Sequence, residues 1–301
     1  MSKVNTSLKN KAHLDEARAN KNDEFYTNRE DIDKELQHYH KLLKGKVIYC
    51  NCDDYRWSKF YDYFKDNFDI IKPKKVIFTC LKQDKKAKKI VITKSGIKKS
   101  KIEGTGSYDS KESIKILKSA DVVITNPPYS LYREYIDLLD NHKKDYLLVG
   151  PMGSIIYRDI QPLVIDNKMN IGYTILGPFR DTVGNKVLGA PSLWFTSLDI
   201  DTSVKHFELT KSITDSKPVF YDDENILSVS KYRDIPYDYS GFMGVPISFM
   251  RHFDRNQFDI IKIRKGFNGK DLQINDKVVF NRVIIKRKTN AYPNKNSKQK
   301  S

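Results

Sequence analysis

The sequence has few cysteines and no long apolar run. The first observation argues against a disulfide-rich protein, and the second argues against a membrane-spanning one. Its three cysteines, Cys50, Cys52 and Cys80, lie in or beside apolar, strand-like segments, which favours reduced, buried thiols over a disulfide framework. No segment approaches the roughly 18 apolar residues of a membrane span, and the polar N-terminus has no signal-peptide core. We therefore expect a cytoplasmic protein with no membrane association.

Several catalytic motifs are missing as well. No Pro-Cys dipeptide occurs, so the covalent thiolate route of cytosine-C5 methylation has no candidate nucleophile. There is no His-Glu-x-x-His arrangement, and Cys50 and Cys52 have no matching second pair, so we expect no metal site. A Gly-x-x-x-x-Gly-Lys phosphate loop is also absent, which argues against an ATPase.

Acidic residues are outnumbered by basic ones. There are 54 Lys and Arg against 38 Asp and Glu, a net charge of +16, which indicates a polyanionic partner, with nucleic acid as the first candidate. Residues 82–101 hold nine lysines and one acid, a pattern that predicts a basic, hairpin-like insertion. Residues 286–301 hold six basic residues and no acid, and they predict a basic tail.

Helical and strand patterns alternate through the first half of the chain. Asn28 is expected to cap a first helix. The predicted apolar face of a second helix consists of Trp57, Phe60, Tyr61, Phe64 and Phe68. Strands are expected at 47–50, 75–80, 121–125 and 146–149, with less regular strand-like segments at 171–176, 193–197 and 278–285. This alternation predicts an α/β fold with a mostly parallel sheet and helices on both faces.

The strand at 121–125 is followed directly by Asn126, Pro127, Pro128 and Tyr129. Two consecutive prolines remove two backbone N–H donors, which leaves carbonyl oxygens at the end of the strand. Such an acceptor-rich pocket suits an exocyclic amino group, which must be held through its two N–H donors while its nitrogen attacks an electrophile. We expect Asn126 and the Pro127 carbonyl to accept from that group, and Tyr129 to stack on an extruded base. These four residues are the predicted catalytic residues.

The same tetrapeptide serves methylation of adenine N6, of some cytosine N4 atoms and of protein glutamine amides. The motif therefore indicates amino-group chemistry and leaves the substrate open. A purely structural alternative is that the two prolines end a strand before a helix. The position at the carboxyl end of a buried strand in an alternating α/β sequence, where open sheets bind ligands, favours the methyltransferase interpretation.

The sequence also resembles the EcoRI-type adenine-specific DNA methyltransferases over nearly its whole length. The similar segments are DEFYT at 23–27, YCNCDD at 49–54, NPPY at 126–129, GNKVLG at 184–189, WFT at 194–196 and MGVPISF at 243–249. The resemblance implies a Rossmann-like, S-adenosylmethionine-dependent methyltransferase fold with irregular target-recognition insertions. It also implies adenine N6 in double-stranded DNA as the acceptor, reached by base flipping. We divide the chain accordingly into an N-terminal arm (1–22), a catalytic core (23–200), a C-terminal part with target-recognition elements (201–285) and the basic tail (286–301).

Positions for S-adenosylmethionine follow from the same resemblance. The implied cofactor contacts are Phe25, Tyr26, Thr27, Asp53, Asp54, Tyr108, Asp109 and Asn126. One of the two aspartates would bind the ammonium group, with Asp53 favoured, although no Gly-x-Gly follows the first strand as it does in many such enzymes. Structural alternatives stay open: the aspartates could cap a helix, residues 104–109 could form a plain turn, and residues 25–27 could pack as an apolar staple.

The resemblance likewise implies contacts with DNA. Trp194 and Phe195 are candidates for a second stack against the flipped base, with core packing as an equally open alternative. The candidates for phosphate contacts are Lys85, Lys86, Lys88, Lys89, Lys186, Arg251, Arg255 and Arg264. A bacterial or phage origin and a partner restriction endonuclease acting on the same site would fit this family. The competing hypotheses are an RNA or protein-glutamine amino-methyltransferase and a catalytically silent DNA-binding relative.

Overall fold

The computed structural model describes residues 27–79, 87–177, 191–222, 224–264 and 272–288. The chain divides into two compact units. The first unit comprises Met1–Pro151 and Thr174–Leu198, and the second comprises Met152–Tyr173 and Asp199–Ser301. The predicted domain boundary at residue 200 therefore lies near one junction, but residues 152–173 group with the second unit. The predicted N-terminal arm lies outside the described residues.

The first unit is built on a mostly parallel sheet. Its strands are β1 (Val47–Cys50), β2 (Lys75–Thr79), β3 (Lys88–Thr93), β4 (Gly96–Lys101), β5 (Val122–Thr125), β6 (Asp145–Pro151) and β8 (Ser192–Thr196). Their order across the sheet is β4-β3-β2-β1-β5-β6-β8. The strands β2, β1, β5 and β6 run parallel, whereas β3, β4 and β8 each pair antiparallel with a neighbour. The predicted α/β methyltransferase architecture is thereby confirmed.

Helices connect these strands. They are α1 (Arg29–Leu36), α2 (His40–Leu43), α3 (Lys59–Asp66), α4 (Phe68–Ile71), α5 (Lys111–Ser119) and α6 (Tyr132–Asn141). Asn28 caps α1 as predicted, because its side chain accepts a hydrogen bond from the Asp31 N–H at 3.0 Å. Each helix buries an apolar face, as Ile32 and Leu36 of α1 illustrate.

The second predicted helix begins later than its apolar pattern indicates. Ser58 caps α3 by accepting from the N–H of Phe60, so Trp57 precedes the helix and is 39% exposed. The buried face consists of Phe60, Tyr63 and Phe64. The prediction was right for Phe60 and Phe64. It was wrong for Trp57, because the serine side chain fixes where the helix starts, and for Phe68, which begins α4. Tyr61 is half-buried.

The predicted basic insertion contains a hairpin that extends the sheet. Strands β3 and β4 pair antiparallel around a turn, with Thr93 opposite Gly96. Ile90 and Ile92 of β3 are buried, whereas β4 is mostly exposed. The lysines of the hairpin therefore line an outer edge of the sheet, where charge also discourages edge-to-edge pairing. Residues 82–86 of the insertion lie outside the described residues.

The second unit is centred on a smaller, mixed sheet. Its α-helix and strands are α7 (Gln161–Ile165), β7 (Asn170–Ile171), β9 (Ile226–Ser228), β10 (Phe242–Pro246), β11 (Phe258–Arg264), β12 (Gln273–Ile274), β13 (Lys277–Val278) and β14 (Arg282–Arg287). Four strands form a sheet in the order β11-β14-β10-β9, and β12 pairs with β13.

Three sequence predictions need correction in this unit. The expected strand at 171–176 overlaps β7, Asn170–Ile171, only at Ile171. The expected strand at 278–285 is two strands, β13 and β14, separated by a turn that includes Asn281 with φ +52°. The basic tail was predicted to begin at residue 286, but β14 continues to Arg287 because it pairs along its length with β10 and β11.

Candidate active site

The centre of the parallel sheet contains a topological switch point. β1 lies between β2 on one side and β5 on the other, so the chain leaves the carboxyl ends of β1 and β5 in opposite directions. Open α/β sheets bind ligands in the crevice at such a point. The residues that follow these two strands are 51–54 and 126–129, which include the predicted catalytic motif and both candidate aspartates.

Asp53 connects the loop after β1 to the end of β5. Its carboxylate is buried and accepts hydrogen bonds from the hydroxyls of Ser58, at 2.8 Å, and Thr125. The same Thr125 hydroxyl accepts from the backbone N–H of Cys52 at 3.2 Å. These hydroxyl donors fix the position of the Asp53 carboxylate at the switch point.

Asp54 has a different environment. Its carboxylate forms an ion pair with Arg56, whose guanidinium lies 4.1 Å from the centre of the Trp57 ring. The backbone carbonyl of Asp54 accepts from the N–H groups of Trp57 and Ser58, so the residue also shapes the turn before α3. Asp54 is therefore paired with a cation of its own chain, and Asp53 is the better candidate for binding the ammonium group of a ligand.

Asn51 is a buried site residue that the sequence prediction missed. The hydroxyl of Tyr135 donates to its Oδ1, and burial raises the pKa of Tyr135 well above its ordinary value, so this hydroxyl remains a donor. The Asn51 side-chain nitrogen Nδ2 is buried and has no hydrogen-bond partner within the described part of the chain. Tyr108 packs edge-on against Tyr135, with ring centres 5.1 Å apart. The position directly after a buried strand could have identified Asn51 from the sequence.

Asn126 lies beside the segment predicted to close over the cofactor. Its Nδ2 donates to the Thr27 hydroxyl at 3.3 Å, although the two residues are 99 positions apart. Thr27 is buried and Asn126 is half-buried. The structure thus brings together two of the predicted cofactor contacts, while Phe25 and Tyr26 lie outside the described residues.

Tyr129 begins a short 3-10 helix, Tyr129–Leu131, directly after the two prolines. Its hydroxyl donates to the Ser192 Oγ at 2.7 Å, which ties the motif to β8. Burial raises the pKa of the Tyr129 phenol, so the ring is neutral at physiological pH. The ring is half-buried. Ser192 is a second residue that the sequence prediction missed.

Trp194 and Phe195, the two further base-stacking candidates, are completely buried. Trp194 packs edge-on against Phe60 of α3, with ring centres 6.1 Å apart, and Phe195 packs against Tyr132 of α6 at 5.8 Å. Successive residues of a strand point to opposite faces of the sheet, and helices cover both faces here. The structure favours the core-packing alternative for both residues.

The predicted contacts with the cofactor's adenine lie before α5. Tyr108 is half-buried and Asp109 is exposed, and the Ser107 hydroxyl donates to the Asp109 carboxylate. The Tyr108 ring reaches the switch point through its contact with Tyr135, which in turn binds Asn51. The geometry therefore supports Tyr108 more directly than Asp109 as a cofactor contact.

The predicted phosphate contacts fall into different environments. Lys88 is exposed and Lys89 half-buried on β3, and Arg251 is half-buried in the second unit. Two other arginines are engaged within the second unit: Arg255 donates to the Asn170 side chain, and Arg264 forms an ion pair with Glu224 at 2.8 Å. The remaining candidates, Lys85, Lys86 and Lys186, lie outside the described residues.

Two sequence predictions concerned absences. In the part of the chain that the structure describes, no group of three or more His, Cys, Asp or Glu side chains could hold a metal ion. No described helix is long and apolar enough to cross a membrane. Cys50 and Cys52 are free cysteines, and burial raises the pKa of the Cys50 thiol well above its usual range, so that thiol stays protonated.

Comparison with known proteins supplies the family. The sequence model described as "Adenine-specific methyltransferase EcoRI" matches residues 13–301. The chain belongs to this family. It is therefore an adenine-specific methyltransferase of the EcoRI type, and the predicted family and enzyme class are confirmed.

Three relatives illustrate the family. The chain is similar to the type II methyltransferase M.EcoRI of Escherichia coli, with 37% identity over 91% of this chain and 96% of that protein. It is 31% identical to M.MgeORF184P of Mycoplasma genitalium and 31% identical to M.MpnI of Mycoplasma pneumoniae, in each case over 83% of this chain and 85% of the relative. No solved structure matches the chain.

Proposed function

We propose that this protein transfers the methyl group of S-adenosylmethionine to N6 of an adenine in double-stranded DNA. The observation that carries this proposal is the juxtaposition of Asp53 and Asn126 at the switch point of the sheet. Asp53 is bound to Thr125, the residue before Asn126, so one strand end holds both a fixed carboxylate and an amide. The carboxylate suits the ammonium group of the donor, and the amide suits the amino group of the acceptor.

The residues at the switch point fit S-adenosylmethionine. The Asn51 Nδ2 is a buried donor that has no partner among the described residues, a costly arrangement that a ligand acceptor atom would relieve. Asp53 supplies a negative charge for the ammonium group, and Thr27 lies against Asn126, where the methionine end would be enclosed. These three residues would hold the cofactor, which supplies an electrophilic methyl carbon.

Asn126, Pro127 and Tyr129 would handle the target base. The Asn126 Oδ1 and the Pro127 carbonyl would accept from the adenine amino group and orient its nitrogen toward the methyl carbon. The acceptors matter most as that nitrogen becomes positively charged, because an oriented dipole stabilises charge without reorganisation. The neutral, half-buried Tyr129 ring offers a face for stacking. Catalysis would rest on positioning and electrostatics, with no general base required.

Both the net charge of the protein and its family support DNA as the proposed acceptor. The net charge of +16 favours a polyanion, and the lysine-rich β3–β4 hairpin presents part of that charge at the edge of the sheet. Base flipping would deliver the adenine to the pocket. We place this reaction in the cytoplasm, and we propose that a restriction endonuclease recognising the same site is the protein's counterpart.

Transfer of tritium from labelled S-adenosylmethionine tests the proposal. The wild-type protein should label adenine N6 of duplex DNA, and Asn126→Ala should not. Parallel reactions with RNA and with a mixed protein extract test the alternative acceptors. Label in RNA or protein, with none in DNA, would overturn the proposed substrate. No label in any acceptor, despite cofactor binding, would indicate a catalytically silent relative.

A further inference from the structure

An aromatic pair in the second unit joins two chain segments, each of which carries an arginine next to the ring residue. Tyr232 and His252 stack with ring centres 3.9 Å apart and planes 19° apart. The Arg233 guanidinium lies 5.5 Å from the centre of the Tyr232 ring, and its Nε donates to the Tyr232 hydroxyl at 3.0 Å. We refer to Arg233, Arg251 and His252 as the cationic cluster.

The apolar core of the second unit holds this pair in place. Tyr232 packs edge-on against Phe207, with ring centres 5.3 Å apart. Phe207 in turn stacks with Phe258 at 5.8 Å, and Phe258 is buried in β11. Because the aromatic pair rests on a packed core, the cluster has a defined geometry even though Arg233 itself is exposed.

The charges of the cluster are of one sign. The pKa of His252 is lowered by burial first and then by Lys205, Arg251 and Arg233, and no carboxylate contributes to this shift. Arg251 is half-buried, and its Nε is buried without a hydrogen-bond partner among the residues that the structure describes. Among the ion pairs of the described residues, none involves Arg233 or Arg251.

Such an arrangement is unfavourable in the free protein. Like charges repel each other, and a buried guanidinium N–H without an acceptor loses its hydrogen bond to water. An anion placed beside the stacked pair would remove both costs. Guanidinium groups match phosphate oxygens in geometry, and arginine is the preferred residue for such contacts.

We infer that the cationic cluster is a phosphate-binding site through which the second unit contacts the DNA backbone. This inference rests on the proposed DNA substrate. It assigns the role to two residues that the sequence did not single out, Arg233 and His252, together with Arg251. Phosphate contacts position a protein on the duplex without reading its bases, so the cluster should contribute to affinity and not to site choice.

Charge reversal tests the inference in the full-length protein. Arg233→Glu changes an exposed residue, and Lys277→Glu makes a charge reversal of the same size at an exposed position on β13 of the same unit. Duplex binding is measured by fluorescence anisotropy over a series of salt concentrations. Arg233→Glu should weaken binding to specific and nonspecific duplexes alike. It should also make the slope of log affinity against log salt shallower, by about 0.9 for each phosphate that the variant no longer neutralises. Lys277→Glu should change the slope less.

The outcomes separate the two proposals. If the wild-type protein does not bind duplex DNA, the proposed substrate fails and this inference fails with it. If the wild type binds but Arg233→Glu and Lys277→Glu have equal effects, the charge acts only globally and the cluster does not bind the DNA backbone.

A measurement on the wild-type protein avoids any effect of substitution on folding. The His252 imidazole can be titrated by NMR with and without duplex DNA. A phosphate beside the cluster should raise its pKa, because an anion favours the protonated ring. A His252 pKa that is the same in free and DNA-bound protein would overturn the assignment.

Discussion

The Thr125 hydroxyl donates to the Asp53 carboxylate, although the two residues are 72 positions apart in the chain. This hydrogen bond joins the loop after β1 to the last residue of β5, directly before Asn126. The proposed cofactor-binding carboxylate and the proposed catalytic amide therefore share one anchoring point. A substitution at either strand end should therefore also alter the structure of the other. Substitutions there need controls that separate a chemical role from a structural one.

Asn126→Ala should lose most of its turnover while binding S-adenosylmethionine and DNA within a few fold of wild type. The removed acceptor stabilises charge that develops only during transfer, and its loss should cost on the order of 3 kcal/mol in activation free energy. Single-turnover methylation and equilibrium binding measure the two effects separately. Asn141→Ala, at the exposed end of α6, serves as a control. An Asn126→Ala variant with more than half of wild-type turnover would rule out the assigned role.

Asp53→Ala should raise the dissociation constant for S-adenosylmethionine in a calorimetric titration, and Asp54→Ala should raise it less. Asp54 already pairs with Arg56, whereas the Asp53 charge is held by hydroxyls. Thr125→Val provides a control, because it removes the hydroxyl that donates to Asp53 and accepts from the Cys52 N–H, and it keeps the carboxylate. Equal affinity in wild type and Asp53→Ala would place the ammonium site elsewhere. Equal losses in Thr125→Val and Asp53→Ala would mean that Asp53 acts only through structure.

Tyr129→Phe should retain much more activity than Tyr129→Ala. The phenylalanine keeps the stacking face and lacks the hydroxyl that donates to Ser192. Stacking of a base on an aromatic ring contributes about 1–3 kcal/mol, so Tyr129→Ala should show the larger fall in kcat/KM. Ser192→Ala removes the same hydrogen bond from the other side and should match Tyr129→Phe. If the phenylalanine and alanine variants are equally impaired, the ring does not stack on the base.

Trp194→Ala should lower the free energy of unfolding by about 3–5 kcal/mol, as expected for removal of a fully buried aromatic side chain. Trp57→Ala is a matched control, because Trp57 is the other tryptophan of the chain and is 39% exposed. Denaturant unfolding gives both values. If Trp194→Ala kept wild-type stability and lost only base flipping, the result would favour base stacking over core packing for Trp194.

The stability of the first unit should depend on pH through His40. Its Nε2 lies 2.7 Å from the Tyr63 hydroxyl, and burial lowers its pKa below the ordinary value of 6.5. The unfolded chain therefore takes up a proton more readily than the folded chain as pH falls below that value, and stability should decline there. His40→Gln should lack this part of the decline when urea midpoints are compared at about pH 7.5 and about pH 5.5. Parallel pH curves for wild type and variant would contradict the assignment.

Much of the site could be predicted because its residues follow strands that are visible in the sequence. The motif at 126–129 comes directly after an apolar run, so its place at the carboxyl edge of the sheet was predictable. Asn51 and Ser192 were missed for a physical reason. Asn51 accepts a hydrogen bond from the Tyr135 hydroxyl of α6, and Ser192 accepts one from the Tyr129 hydroxyl. In both pairs the two residues are far apart in the sequence.

The sequence by itself determined the alternation of helices and strands, the amino-group chemistry of the motif and the excess of positive charge, because each depends on local residue order or on composition. Tertiary structure decided which strands are neighbours, and with them the pairing of Asp53 with Thr125 and of Thr27 with Asn126. Tertiary structure also buries the side chains of Trp194 and Phe195. An apolar pair on a strand looks the same whether it faces a ligand or the core, and only helices packed on both faces of the sheet bury both side chains.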